Sequence, residues 1–183
     1  MVIIRDEHPA DVTMREHLLS RCFGPGRFRK TSEKFRRRRL PADGLSLTAE
    51  LNGQVVGTVR LWSVDAGGNR PALLLGPLAV NPDVQGQAIG SRLMEEAIAR
   101  AVSYGHGAIL LVGDEPYYRR FGFSSALTAA LQLPGPYESG RFLALELVSG
   151  ALAGAAGMVV PTGAMKGRSK GLLPANAGHA KAA

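Results

Sequence analysis

A single cysteine, Cys22, stands among 183 residues, so no disulfide can form within the chain. Four scattered histidines, His8, His17, His106 and His179, add no metal-ligand spacing to it. No metal site is expected. The chain also lacks a long apolar run. Its least charged stretch, Leu147 to Val160, is closed by Pro161, rich in Gly and Ala, and too short to span a bilayer. The opening Met1-Val-Ile-Ile-Arg-Asp-Glu has no basic head and no small-residue cleavage site, so no secretory signal is read. A cytoplasmic location without membrane attachment is the expectation. Acids are absent after Glu146, while Lys166, Arg168, Lys170 and Lys181 follow it. No aromatic residue interleaves the run Arg36 to Arg39, so a stacking platform for single strands is not indicated.

The net charge is +7. A basic surface attracts polyanions, including nucleic acid and cofactor phosphates, but a solvated helix end plus a charged tail is the simpler reading. No recognition motif accompanies the charge, so nucleic acid is not the expected partner. The length suits one domain able to bury its own core. Residues 1–152 are read as that domain, and 153–183 as a partly disordered tail rich in Ala, Gly and Lys.

Residues 2–7 read as a short strand. Asp11 is read as the N-cap of a helix whose apolar positions, Val12, Leu18, Leu19 and Cys22, lead to a stop at Gly24-Pro25-Gly26. A second, basic surface helix is expected from about Phe28 to Arg39. Ser46 to Leu51 and Val55 to Val64 alternate polar and apolar about Asn52-Gly53, which predicts a β-hairpin with a type I′ turn.

Ala72 to Val80 is nearly all apolar, as a strand buried on both faces would be. Gly76-Pro77 interrupts it. Proline donates no hydrogen bond to a ladder, so this strand is unpaired or bulged on one edge near Pro77. After a loop of small residues, Leu93, Met94, Ala97, Ile98, Ala101 and Val102 trace an amphipathic helix ending at Gly105. Ala108 to Val112 is a second apolar strand, completing a βαβ unit with parallel strands. Asp114 is read as the cap of a short helix carrying Tyr117, Tyr118 and Phe121, which Gly122 stops. Phe142 to Leu147 reads as a last strand.

The chemistry concentrates between Leu73 and Phe123. Main-chain N–H groups from about Gln85 to Ser91 open a helix and are suited to an anion. Two glycines, Gly86 and Gly90, are weak evidence alone. The full order is more specific: a strand with a proline defect, Val80-Asn81-Pro82, Gln85-x-x-Ala88-x-Gly90, helix, strand, then Tyr118-x-x-x-Gly122-Phe123. This order resembles the GNAT N-acetyltransferases. Their cofactor motif is Gln/Arg-x-x-Gly-x-Gly/Ala, and their later motif is a Tyr with Gly-Phe four and five residues on. The resemblance is strong over about fifty residues and extends over roughly residues 2 to 150.

It implies an α/β fold with a mixed central sheet: antiparallel N-terminal strands and a parallel βαβ core with splayed strands, flanked by helices. It implies transfer of an acetyl group from acetyl-CoA to an amine of a small molecule or a protein, in a ternary complex and without metal. A homodimer is compatible with it. Gln85, Gly86, Gln87, Ala88, Ile89, Gly90 and Ser91 would hold the pyrophosphate of coenzyme A through main-chain N–H groups. Arg92 would assist with charge, or is a solvated helix residue. Leu78, Ala79 and Val80 would pair with the pantetheine arm, and the Val80 N–H would serve the acyl oxygen. Tyr118 would protonate the leaving thiolate; otherwise it is a core aromatic bonded to main chain. Tyr117, Phe121 and Phe123 are read as packing. Ala88 departs from the family glycine, so its methyl must face away from the pyrophosphate or the loop must take negative φ there. No acid lies in Ala72 to Val80, and no general base is assigned among Glu50, Asp114 and Glu115. A module that binds acyl-CoA without turnover is the alternative.

Overall fold

The computed structural model describes residues 1–84 and 86–167. In chain order its elements are β1 (Val2–Asp6), α1 (Val12–Phe23), α2 (Glu33–Arg36), β2 (Ser46–Leu51), β3 (Gln54–Asp65) and β4 (Pro71–Val80). Then come α3 (Ile89–Ser103), β5 (Ala108–Val112), α4 (Glu115–Tyr118), β6 (Leu131–Gln132), β7 (Phe142–Glu146), β8 (Gly157–Met158) and β9 (Val160–Pro161). Seven strands form one mixed sheet in the order β1-β2-β3-β4-β5-β7, with β9 attached to β3. Only β4 and β5 run parallel within it, joined by α3; the other pairs are antiparallel. This is the mixed α/β sheet expected from the sequence. Among the described residues no helix is long and apolar enough to cross a membrane.

The hairpin forms where Asn52-Gly53 placed it. Asn52 and Gly53 take φ of 51° and 77°, as a type I′ turn requires. The two apolar strands are covered on both faces. Leu73 and Leu75 of β4, with Ile109 and Leu111 of β5, pack under α3 against Ile89, Leu93, Met94, Ala97 and Ala101. Ala72, Leu74, Ala108 and Leu110 face the opposite cluster, which holds Phe35, Leu131, Phe142 and Val159.

The alternation slips at Gly76-Pro77. Leu78 and Val80 lie on the α3 face with Leu73 and Leu75, while Ala79 packs on Leu18 and Leu19 of α1. Strict alternation from Leu75 would put residue 79 on the α3 face. The β3–β4 register shifts here as well, between Val59 and Leu61. The irregular strand that Pro77 predicts is therefore present.

Three local expectations are corrected. The stretch from Phe28 to Arg39 is not one surface helix: a 3₁₀ turn, Pro25–Arg29, precedes the four-residue α2, and Phe35 is fully buried. Its single apolar anchor serves the core below β3 rather than an amphipathic stripe. Asp11 does not cap α1 but closes a capping box on the 3₁₀ turn Pro9–Asp11 before it. Its carboxylate accepts from the His8 N–H (2.8 Å) and from the Arg5 guanidinium (2.7 and 3.1 Å). Asp114 makes no capping bond and pairs instead with Arg141 at 3.1 Å. In both cases the carboxylate takes a charged guanidinium partner, a stronger donor than a helix-start N–H. Within residues 153–167, the described part of the expected tail, Val159 is buried and β9 pairs with Val64 and Asp65. The Lys166 N–H donates to Arg38 O at 2.9 Å. Arg168, Lys170 and Lys181 of the expected basic tail, and His179, lie outside the described residues.

Gly57 on β3 controls how closely α3 sits. A Cβ there would stand 2.9 Å from Leu93 Cδ1, 3.1 Å from Ala49 Cβ and 3.2 Å from Ile89 Cγ2. Gly57→Val is expected to destabilise the fold by about 1–3 kcal/mol through overpacking. A lower urea midpoint with unchanged m-value would bear this out; an unchanged midpoint would contradict it.

Candidate active site

The site begins where β4 leaves β5. Their parallel pairing covers Leu73 with Ile109 and Leu74 with Leu110, and no more. Beyond it Leu111 and Val112 of β5 pair with β7 alone, and Leu78 to Val80 of β4 pair with β3 alone. A wedge opens between the strands. Asn81 N–H donates to Val56 O (2.8 Å), so alternation turns the main chain of Ala79 toward β3 and that of Leu78 and Val80 toward the wedge. Of the three residues expected to expose main-chain groups, two do so. The Val80 carbonyl accepts the Cys22 thiol at 3.4 Å. Burial pushes that thiol's pKa up, which keeps it protonated as a donor.

A cavity of about 640 Å³ occupies the mouth of the wedge. Its walls include Leu74 to Leu78 on one side and Leu111 to Asp114 on the other, with Tyr118 between them. Leu78 lines it, whereas Val80 lies further along, its Cγ2 3.6 Å from where a Cβ on Gly90 would stand. The two open amides are thus separated: one faces the cavity, and the other approaches the loop that starts α3.

In that loop, none of the N–H groups from Gly86 to Ser91 meets a protein acceptor among the described residues. The first helical bond is Arg92 N–H to Ala88 O, at 3.0 Å. No side chain caps the helix. A row of unbonded amides at the positive end of a helix of 15 residues is an anion-binding geometry. The Ile89 side chain is buried, while Gly86, Gln87 and Ala88 are exposed. Gln85, the first residue of the expected motif, lies outside the described residues. Arg92 turns away, its guanidinium donating to Val2 O at 3.0 Å; it serves the β1 edge. Ala88 does not take negative φ. Its φ is 55° and ψ 17°, a left-handed conformation that glycine adopts more readily. The loop path is set by neighbours on both sides, so the alanine is held in that conformation.

One neighbour is α1. Arg21 grips Asp83 with two bonds (2.7 and 2.9 Å) and also reaches Asn81 Oδ1 (2.9 Å). This clamp fixes the turn between β4 and the amide loop. Its signal in the sequence, one arginine on a helix and one aspartate in a loop, was too ordinary to find.

Tyr118 stands against Gly113, where a Cβ would lie 2.2 Å from its Cε2. Phe123 meets its ring edge-on at 6.0 Å and Tyr117 at 4.9 Å. Its hydroxyl meets no partner among the described residues, unlike that of Tyr137, which donates to Leu131 O at 3.3 Å. A purely structural tyrosine would be expected to find such a partner. Burial, with smaller contributions from Tyr117 and Asp114, pushes the Tyr118 pKa up to about 12. Tyr117 packs under the Arg120 guanidinium (4.1 Å from the ring centre), Phe123 is buried, and Phe121 lies partly buried beside the same core, as read from the sequence. Glu50 is bound to Arg5 at 2.8 Å on β2, between β1 and β3 and two strands away from β4. Among the described residues no group of three or more His, Cys, Asp or Glu is placed to hold a metal ion.

The acetyltransferase (GNAT) family profile matches residues 13–123. The N-acetyltransferase YhbS of Escherichia coli K12 is 31% identical over 159 residues, covering 86% of this chain and 95% of that protein. The crystal structure of E. coli YhbS in complex with CoA superposes with a TM-score of 0.73 at 30% identity, over 88% of this chain and 89% of that one. A GNAT acetyltransferase from Brucella melitensis, in complex with acetyl-CoA, gives a TM-score of 0.62 at 30% identity, over 80% and 88% of the two chains.

Left-handed φ costs a non-glycine residue roughly 1–2 kcal/mol, and glycine returns part of that through chain entropy. Ala88→Gly is therefore expected to stabilise the protein by about 0.5–1 kcal/mol in urea titration. A loss of stability would show that the alanine is not strained.

Proposed function

The chain belongs to the acetyltransferase (GNAT) family, and on that premise we propose that it carries an acetyl group from acetyl-CoA to a primary amine by direct attack in a ternary complex. The observation that carries the reading is the wedge: main-chain groups of Leu78 and Val80 without a strand partner lead from a helix start whose amides meet no acceptor among the described residues to a partly buried phenol.

Acetyl-CoA brings the activated thioester. The N–H groups from Gly86 to Ser91 suit its diphosphate, and the open side of Leu78 and Val80 suits an amide-bearing arm added like a strand. Among the described residues only the Cys22 thiol competes for that edge, and a thiol is a weak donor that an amide N–H displaces. The Leu78 N–H shares the cavity with Tyr118. It is better placed than the Val80 N–H to stabilise charge developing on the acyl oxygen, and Val80 is better placed to hold the arm.

In the reaction the amine nitrogen bonds to the acyl carbon, and the carbon–sulfur bond breaks with its electron pair on sulfur. Tyr118, kept neutral by its raised pKa, donates its proton to that sulfur and regains one from the nitrogen as the amide forms. The incoming amine must first lose a proton, since a free alkylammonium is charged at neutral pH. Three carboxylates line the cavity: Glu33, Asp114 and Glu138. Glu33 lies 3.8 Å from Arg36 and Asp114 3.1 Å from Arg141. Glu138 has no cationic partner among the described residues and is the freest to take that proton.

Tyr118→Phe is expected to lower kcat by roughly 10²–10³-fold with the calorimetric Kd for CoA unchanged. Because the phenol ionises only near pH 12, kcat of the native enzyme should hold through mildly alkaline pH rather than fall near the ordinary tyrosine pKa of about 10. Unchanged turnover in the variant would remove Tyr118 from the chemistry and favour a module that binds without reacting.

A further inference from the structure

The far wall of the cavity is built by α1, the 3₁₀ turn after it and α2, and it carries Arg27, Lys30 and Arg36. Of these, Arg27 belongs to a chain of ion pairs. Arg60 and Arg15 both bind Glu7; Arg15 also binds Glu16 (2.8 Å), and Glu16 binds Arg27 (2.5 Å). Arg36 sits beside them and is tied to Ser32, its Nε to the carbonyl (3.2 Å) and its Nη2 to Oγ (2.5 Å). Its Nη1 has only Glu33, at 3.8 Å. The group thus sets four guanidinium ions, Arg15, Arg27, Arg36 and Arg60, against three carboxylates, Glu7, Glu16 and Glu33.

The imbalance falls at the cavity. The Arg27 Nε is buried without a partner. Lys30 lies 4.6 Å over the Phe23 ring and makes no ion pair among the described residues. Burial, together with the charges of Arg27 and Arg60, pushes the Arg36 pKa down against the opposing pull of Glu33. Gathering like charges in a half-buried wall is costly, and a single anion there would relieve the repulsion and satisfy open donors. On the β5 side the cavity has Tyr118 and Asp114, the latter paired with Arg141 at 3.1 Å, while Glu138 follows Pro136, whose carbonyl accepts from Thr31 on the cationic wall.

Resting on the transferase reading, we propose that the acceptor is a small amino acid-like molecule whose carboxylate is held by Arg36, with Lys30 and Arg27 beside it, while its amine faces Tyr118. The cavity of about 640 Å³ must also take the acyl end of the co-substrate, which leaves room for a small acceptor only. A guanidinium fork with one unfilled edge matches a carboxylate better than a neutral carboxamide.

The test compares matched acceptors at saturating acetyl-CoA, with thiol release as readout: glycine, β-alanine and γ-aminobutyrate, each against its carboxamide. The acids are expected to exceed the amides in kcat/KM by about tenfold or more, and Arg36→Gln to bring the ratio near one. Equal or better turnover of the amides overturns the proposal while leaving the transferase reading intact, as does a preference that survives in both Arg36→Gln and Lys30→Gln. Should no amine release thiol although CoA binds, the transferase reading fails, and the anion site is judged by melting. Glutarate added to the CoA-saturated native protein is expected to raise its Tm, and to do so less in Arg36→Gln. No upward shift overturns the site.

Discussion

Everything distinctive in this fold follows from β4 parting from β5 after Leu74. A parallel pair buried on both faces would ordinarily continue to zip, because each unpaired buried amide costs free energy. Pro77 removes one donor, and the register slip at Gly76-Pro77 turns Leu78 and Val80 so that their polar groups face the gap. The lost ladder is partly offset nearby: the Trp62 indole N–H donates to Gly76 O (2.6 Å), and the Cys22 thiol to Val80 O (3.4 Å). What remains open is a short, correctly spaced set of main-chain groups, already in extended form and requiring little ordering on binding.

Two supports keep the gap useful. Gly57 lets α3 press on the sheet, so the first amides of the helix stand at the end of the same strand that carries Leu78 and Val80. The Arg21–Asp83 clamp holds the connection between them to α1. The left-handed Ala88 is the local cost of that path. On the other side, the ion-pair chain through Glu7 and Glu16 stitches β1, α1 and β3 to the turn bearing Arg27. One set of side chains therefore joins the strands of the fold to the wall of the cavity.

Much of this was legible in the residues. Asn52-Gly53 between alternating runs, the two fully apolar strands and the helix from Leu93 to Val102 each carry strong local signals, and Pro77 foretold the irregular strand. Legibility failed where a long-range partner decided the outcome. Asp11 and Asp114 read as caps because capping is local, but Arg5 and Arg141 are stronger partners. Phe35 looked like an isolated apolar residue in a basic run, yet the core below β3 takes it whole. Val159 and β9 gave no periodicity, since a two-residue strand is too short to show any. The run around Arg36 read as solvated charge because the packing that buries Arg36 beside Arg27 and Arg60 is not local in sequence. Within the site, the position of Tyr118 and the amide loop came from motif spacing. The separate roles of Leu78 and Val80 needed the register of β3.

Amide hydrogen exchange, read residue by residue with and without CoA, tests the central claim most directly. In the free protein, protection is expected at Leu74 and Leu110 but not at Leu78, Val80 or Gly86 to Ser91, and CoA is expected to slow exchange at those open positions while leaving Leu74 unchanged. Strong protection of Leu78 and Val80 before any ligand is added, or no response of the helix-start amides to CoA, would contradict the account.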